Sequence, residues 1–223
     1  MGLLKNDKNE HMKKAFVLVV LFIFPLVAYL FFASGVNNFG RLPVLTENIS
    51  NLERFDTNVS LDGKITILGF LGNEVEFKKG NAFNLNQKIY KRFGKFKDFQ
   101  IVMIVPKGNG NKEKVTSLKA ELGTLSDIEK WYFVFVEDSE VKSFFQQLKT
   151  DKALDENLGT PYVFIIDKDL NLRGRTDDED EGMKYGFNST SVADLNNKME
   201  DDVKIILAEY RLALKKNNAD RSK

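Results

Sequence analysis

Carboxylates are the side chains of this sequence that could do chemistry. Glu74 and Glu76 alternate in a segment that follows an apolar run, and five acidic residues are consecutive from Asp177 to Glu181. Oxygen atoms of this kind are ligands for hard cations such as Ca²⁺, and they could also accept a basic partner peptide. The acidic run lacks the glycine and the spacing of an EF-hand loop. Solvated surface loops are therefore the alternative interpretation of both segments.

The composition excludes most other kinds of site. With no Cys and a single His, His11, the chain cannot form disulfides, thiolate centres, Cys-based metal sites or a multi-histidine site of its own. Met103, Met183 and Met199 are too far apart in sequence to predict a thioether copper site. No nucleophile elbow, Walker loop or dinucleotide fingerprint occurs, and 33 basic against 32 acidic residues give no bulk attraction for nucleic acid. We expect no cofactor, no catalytic residue and no enzyme activity.

A long apolar segment near the N-terminus predicts a membrane anchor. The 19 residues from Ala15 to Ala33 carry no charge, and at about 1.5 Å each they span roughly 28 Å, enough for a bilayer core. A cleaved signal peptide is the alternative, because Ala33-Ser34-Gly35 offers small residues for cleavage, but the apolar region of such peptides is typically about 7–15 residues.

The charges around this segment predict its orientation. Four lysines precede it and only Arg41 follows soon after it, which places the N-terminus and His11 in the cytoplasm. We expect a single-pass protein of the cytoplasmic (inner) membrane, with its C-terminal domain in the periplasm. The predicted division is a cytoplasmic tail (1–14), an anchor (15–34), a tether (35–50), a folded domain (51–215) and a disordered tail (216–223).

Strands and helices alternate along the rest of the chain. Buried strands are predicted at 64–71, 100–105, 131–136 and 162–166, and the last of them continues through a tight turn into a strand at 172–176. Helices are predicted at 81–93, 112–122 and 139–149, with a last one that begins near Ser191 and ends near Leu214. A small hairpin of 52–55 with 59–61 is expected before the first strand. This alternation favours a parallel sheet core made mixed by the terminal hairpin.

The segment around the last buried strand resembles a known superfamily. Gly159-Thr160-Pro161, followed by the apolar strand from Tyr162 to Asp167 and a hairpin, is similar to the cis-proline segment of the thioredoxin superfamily. The element order, with Asp62-Gly63-Lys64 before an apolar strand, resembles the version shared by peroxiredoxins and the SCO/SenC family, which adds an N-terminal anchor. The resemblance covers about Leu42 to Leu214. It implies a thioredoxin-like three-layer α/β/α sandwich with a mixed central sheet, preceded by one transmembrane helix, and a cis bond at Thr160–Pro161.

The same resemblance implies an emptied site. SCO/SenC proteins bind copper through two Cys in the loop after the first core strand and a distant His near the central strand. Here the loop from Phe70 to Phe77 has no Cys, and the stretch from Asn157 to Thr160 has no His. The loop 72–76 and the turn 159–161 lie at the same end of adjacent strands in this topology, so we expect them to meet. The predicted partner-binding surface, without a metal, consists of Asn73, Glu74, Glu76, Thr160 and Pro161.

Three functions are compatible with these features. The first is a membrane-anchored, extracytoplasmic, non-catalytic protein with a pseudo-active site, which acts as a binding component or assembly factor for a membrane protein complex such as a respiratory oxidase. The alternative is a metal-binding or redox-related SCO/SenC-type protein with oxygen ligands, drawn from Glu74, Glu76 and the acidic run. The third is a structural domain that shares only the fold.

Overall fold

The N-terminal helix has the length and composition of a membrane span. A computed structural model of the chain describes residues 3–33, 40–108 and 110–221. Helix α1 runs from Leu3–Ala33 and contains Pro25, and its window Lys13–Leu30 is apolar, with no residue buried within the protein. By length and composition alone, α1 could cross a bilayer. The predicted cleavage residues Ser34 and Gly35, and the start of the predicted tether at 35–39, lie outside the described residues.

A separate compact unit begins at Gly40. Its strands are β1 (Val44–Thr46), β2 (Ile65–Phe70), β3 (Phe99–Pro106), β4 (Trp131–Val136), β5 (Tyr162–Ile166), β6 (Leu172–Arg173), β7 (Arg175–Asp178), β8 (Gly182–Lys184) and β9 (Phe187–Asn188). Its helices are α2 (Val75–Leu85), α3 (Lys91–Phe93), α4 (Asn111–Leu125), α5 (Asp138–Gln146), α6 (Val192–Asp194) and α7 (Glu200–Arg221). π-helical turns at Asn86–Tyr90 and Leu195–Met199 join α2 to α3 and α6 to α7.

The main sheet is mixed, as predicted. Its order is β1-β6-β5-β2-β3-β4, and β9 pairs with β5 beside this row. The strands β2, β3 and β4 are parallel, whereas β5 is antiparallel to both β2 and β6. Every residue of β2 and β3 is buried, as expected for central strands that are covered on both faces.

The two faces of the sheet carry separate apolar cores. On β3, Ile101 and Met103 face a core shared with α2, α4 and α7, while Val102 and Ile104 face a core shared with α5. This alternation follows from the two-residue period of a strand. Helices on both faces complete the predicted three-layer α/β/α sandwich.

Two predictions about the ends of the domain are wrong. Residues 52–55 form a turn and 59–61 form no strand, because Asn51 Oδ1 accepts hydrogen bonds at 2.8 Å from the backbone nitrogens of Leu52 and Leu61 and so takes donors that a hairpin would use. The strand that enters the sheet first is β1, which lies within the predicted tether and pairs antiparallel with β6. At the other end, α7 extends to Arg221 rather than ending near Leu214.

Candidate functional site

The loop after β2 and the turn before β5 meet in space, as the topology predicted. Leu71 and Gly159 form an antiparallel bridge. The backbone nitrogen of Asn73 donates to the oxygen of Asn157 at 2.7 Å, and that of Thr160 donates to the oxygen of Phe70 at 3.1 Å. Since β5 is antiparallel to β2, its first residues necessarily lie beside the last residues of β2. This junction at the carboxyl end of β2 is the candidate site.

Gly72 allows the two segments to approach each other. Its φ of +67° lies in the left-handed region, and a Cβ there would lie 2.4 Å from the oxygen of Asn157 and 2.6 Å from the nitrogen of Gly159. Side chains disfavour this backbone conformation, and no Cβ fits at these distances. Gly72 therefore fixes the geometry of the site through backbone contact alone.

A network of amides occupies the loop where the SCO/SenC resemblance places the Cys ligands. Asn111, which is 1% exposed, donates its Nδ2 hydrogens to Asn73 Oδ1 at 3.0 Å and to the oxygen of Pro106 at 2.9 Å. Lys114 Nζ donates to the backbone oxygen of Asn73 at 3.3 Å. Asn111 was not predicted, because it lies at the end of a predicted loop and its bond to Asn73 joins residues 38 positions apart, which no local pattern reveals.

An ion pair joins α2 to the segment before β5. Lys78 Nζ lies 2.7 Å from Asp155 Oδ2, while Asp155 Oδ1 accepts from the backbone nitrogens of Asn157 at 3.0 Å and Gly159 at 2.8 Å. Burial opposes ionisation of Asp155, but Lys78 and these N–H groups outweigh it, so the pKa of Asp155 lies below its ordinary value. The carboxylate therefore holds the turn in place.

Glu74 and Glu76 are exposed, but they do not lie in a loop. Helix α2 begins at Val75, so the prediction of a loop up to Gly80 with a helix start at Asn81 is wrong. Glu74 occupies the N-cap position, and Glu76 lies in the first turn and pairs with Lys79 at 3.1 Å. Carboxylates are favourable at a helix N-terminus because they face its positive dipole end, so both residues are compatible with a helix start here.

Thr160 and Pro161 differ from expectation. The Thr160–Pro161 bond is trans, so the predicted cis bond is wrong. The backbone of this turn is already paired, since Thr160 bonds to β2 and the oxygen of Pro161 accepts from the nitrogen of Ser189 at 2.9 Å. Thr160 is only 4% exposed, so the prediction that it lines a surface is also wrong. Pro161 is half-buried. A role in partner binding for Asn73, Glu74, Glu76 and Pro161 stays a prediction.

Phe77 is a prominent side chain at this junction that no pattern in the sequence had indicated. Phe77 is 84% exposed, more than any other large apolar residue described from Gly40 onward. Helical geometry explains this exposure: two residues after the buried Val75, Phe77 lies about 200° around α2. A correct helix start would have predicted it. An exposed aromatic side chain beside Glu74 and Glu76 has the character of a protein-binding surface.

The acidic run lies in the β7–β8 hairpin, where residues 179–181 form the turn. Four of its five carboxylates are exposed, as expected for a solvated loop, whereas Asp178 is buried. Lys198 Nζ lies 2.8 Å from Asp178 Oδ1 and 2.7 Å from Asp180 Oδ2. Glu181 pairs with Lys152 at 2.6 Å and also with Lys184. Three carboxylates of the run are thus paired with lysines, and the described ranges contain no group of three or more His, Cys, Asp or Glu that could hold a metal ion.

Comparisons with solved structures identify the fold. BsSco, a member of the Sco family of cytochrome c oxidase assembly proteins, matches with a TM-score of 0.50 and 12% identity over 74% of this chain and 97% of that one. A putative electron transport protein from Aquifex aeolicus VF5 matches with a TM-score of 0.42 and 21% identity over 66% of this chain and 81% of that one. The thioredoxin domain of a thiol-disulfide oxidoreductase from Bacteroides vulgatus matches with a TM-score of 0.42 and 15% identity over 75% of this chain and 98% of that one. No protein-family model and no curated protein matches the chain. The chain thus has a thioredoxin-like fold that resembles the Sco/SenC family, without cysteine or histidine ligands at the corresponding site.

Proposed function

We propose that this chain is a membrane-anchored, extracytoplasmic, non-catalytic thioredoxin-like protein that acts as a binding or assembly component of a membrane protein complex. A respiratory oxidase is the complex we favour, by analogy with the oxidase assembly role of the Sco family to which BsSco belongs. A likeness of fold does not by itself assign a function, so the side chains at the site carry the proposal.

The observation that carries the proposal is the exposed surface formed by Glu74, Glu76 and Phe77 at the carboxyl end of β2. Behind it, Asn73 is paired with Asn111, and Lys78 is paired with Asp155. The polar groups that a catalytic centre would direct at a substrate are therefore bonded to one another. What this end of the domain presents to solvent is an aromatic ring flanked by two carboxylates.

This surface suits a partner with an apolar pocket and basic residues at its edge. A buried aromatic anchor carries much of the binding energy in many interfaces, and complementary charges around it favour fast and specific association. The helix α1 supports the same proposal, because a span at the N-terminus would keep the domain next to membrane-embedded partners.

The test is affinity purification of the full chain from detergent-solubilised membranes, with the wild type compared with Phe77→Ser. Loss of a hot-spot aromatic lowers affinity by about tenfold or more, so we expect partner recovery to fall sharply. Leu125→Ser is the matched control, because Leu125 is 42% exposed and lies at the end of α4, away from this surface. Equal recovery with both variants, or no reproducible partner with the wild type, would refute the proposal.

The location can be tested separately because the chain has no Cys. A single cysteine placed at the exposed Lys142 should react with a membrane-impermeant maleimide in intact spheroplasts. A cysteine placed at Lys8 should react only after lysis. The reverse labelling pattern would contradict the extracytoplasmic location.

A further inference from the structure

The segment around α3 carries a concentration of unpaired cations. Lys91, Lys95 and Lys97 are exposed, and none of them makes a hydrogen bond or ion pair with another residue that the structure describes. Some exposed lysines elsewhere in the domain pair, such as Lys107 with Glu137 at 3.1 Å and Lys204 with Asp201 at 3.0 Å. What distinguishes Lys91, Lys95 and Lys97 is that they lie close together in one segment. Lys88 and Arg92 add two more cations beside this group, although Arg92 pairs with Glu200.

An aromatic side chain lies among these lysines. Phe96 is 49% exposed, and its ring contacts that of the buried Phe93, with 6.4 Å between the ring centroids. Lys91 and Lys95 line one wall of a shallow groove whose other wall includes Asp127 and Glu129. We refer to Lys91, Lys95, Phe96 and Lys97 as the basic patch.

The chemistry of the basic patch fits a lipid surface better than a shaped protein site. Its three cations are lysines, which are compact and strongly hydrated point charges, whereas arginine would supply the planar fork that recognises one carboxylate or phosphate. Lysines beside an exposed Phe are typical of segments that lie on anionic membranes, where the ring enters the boundary between headgroups and acyl chains.

We propose that the basic patch binds anionic phospholipid headgroups on the surface of the membrane that anchors this chain. The inference rests on the anchoring stated under the proposed function, because the span would hold the domain at a high effective concentration next to the bilayer.

Binding in this way has a consequence for the partner surface. The basic patch directly precedes β3, which begins at Phe99, so it lies at the amino ends of the parallel strands. Phe77 follows β2 and lies at their carboxyl ends. Lipid contact at the basic patch therefore leaves the surface around Phe77 at the opposite end of the sheet free for a protein partner.

The experiment uses the full chain in nanodiscs with a single label. Gln87 is exposed, its side chain makes no hydrogen bond with another residue that the structure describes, and it lies one turn before Lys91. The variant Gln87→Cys carries the only thiol and is labelled with an environment-sensitive dye. We expect its emission to shift to the blue in nanodiscs of phosphatidylcholine mixed with phosphatidylglycerol, but not in phosphatidylcholine alone, and the shift to be lost at high salt because surface charges are screened.

Variants that remove positive charge test whether the lysines of the basic patch cause the binding to phosphatidylglycerol. Each cation near an anionic surface favours binding by about fivefold, so Lys91→Gln, Lys95→Gln and Lys97→Gln together should lower the docking equilibrium constant about a hundredfold. The matched control removes three exposed lysines elsewhere, Lys112, Lys142 and Lys149, and should keep the shift.

The outcomes separate this inference from the proposed function. If the chain does not copurify with nanodiscs of any composition, the anchoring fails and the inference fails with it. If it copurifies but the dye does not respond to phosphatidylglycerol, or responds equally in both triple variants, the inference alone is overturned. A dye response only to an added acidic polypeptide would assign the basic patch to a protein partner and would equally overturn it.

Discussion

Replacing Gly72 by Ala tests whether the loop after β2 and the turn before β5 are in the contact described here. Two costs are expected. An L residue in the left-handed region costs about 1–2 kcal/mol, and Gly72 has a φ of +67°. The new Cβ would also meet backbone atoms of Asn157 and Gly159 at 2.4 and 2.6 Å, and overpacking of this kind typically costs about 1–3 kcal/mol more. The expected loss of unfolding free energy is therefore about 2–5 kcal/mol.

Gly63 provides a matched control for the first of these costs. Its φ is +71°, but a Cβ there would have no atom within 4 Å, so Gly63→Ala should lose only about 1–2 kcal/mol. The difference between the two variants isolates the contact between loop and turn. Urea unfolding of the full chain in detergent can be followed by the fluorescence of Trp131, which is buried and is the only Trp of the chain. Equal destabilisation by the two variants would refute the contact.

Three further predictions concern charged residues. The double variant Glu74→Ala and Glu76→Ala should change the unfolding free energy by less than about 0.5 kcal/mol, since both side chains are exposed, yet lower partner recovery; a large loss of stability would show that they hold the fold. The pKa of Asp155 is depressed below its ordinary value of 3.8, so its contribution to stability is present above about pH 4 and is lost as the pH falls through the folded-state pKa. In the Asp155→Asn variant, the unfolding free energy should therefore fall less steeply than in the wild type as the pH is lowered below about 4. An unchanged pH dependence would contradict this. Arg173→Met removes a buried guanidinium that pairs with two carboxylates and should cost about 3–5 kcal/mol in the same urea assay; a neutral effect would mean that the network is not stabilising.

The central strands were predictable because their signal is local. In β2 and β3, continuous apolar runs lie between turn residues, and such runs indicate strands buried on both faces. Ser191 also begins α6 as predicted, because its side chain accepts a hydrogen bond from the nitrogen of Asp194. These features depend on residues a few positions apart, which a sequence displays directly.

The misses depend on contacts between distant segments. The ion pairs of the acidic run were missed because two of its lysines come from elsewhere in the chain: Lys152 lies 29 residues before Glu181, and Lys198 lies 20 residues after Asp178. The start of α2 was missed because Val75 is followed by Gly80 and Asn81, which are typical of turns. Tertiary packing of the buried Val75 and Ala82 overrides that local preference.

The same contacts explain why this end of the sheet suits recognition. A binding surface gains affinity when it is already ordered, because less conformational entropy is lost on association. Here the backbone of the turn is bonded to the end of β2, Asn111 fixes Asn73, and the pair of Lys78 with Asp155 ties α2 to the same turn. A paired polar network of this kind makes its surroundings more rigid. Phe77 therefore projects from a helix whose position is already set, and a partner that buries its ring would not have to order the loop beneath it.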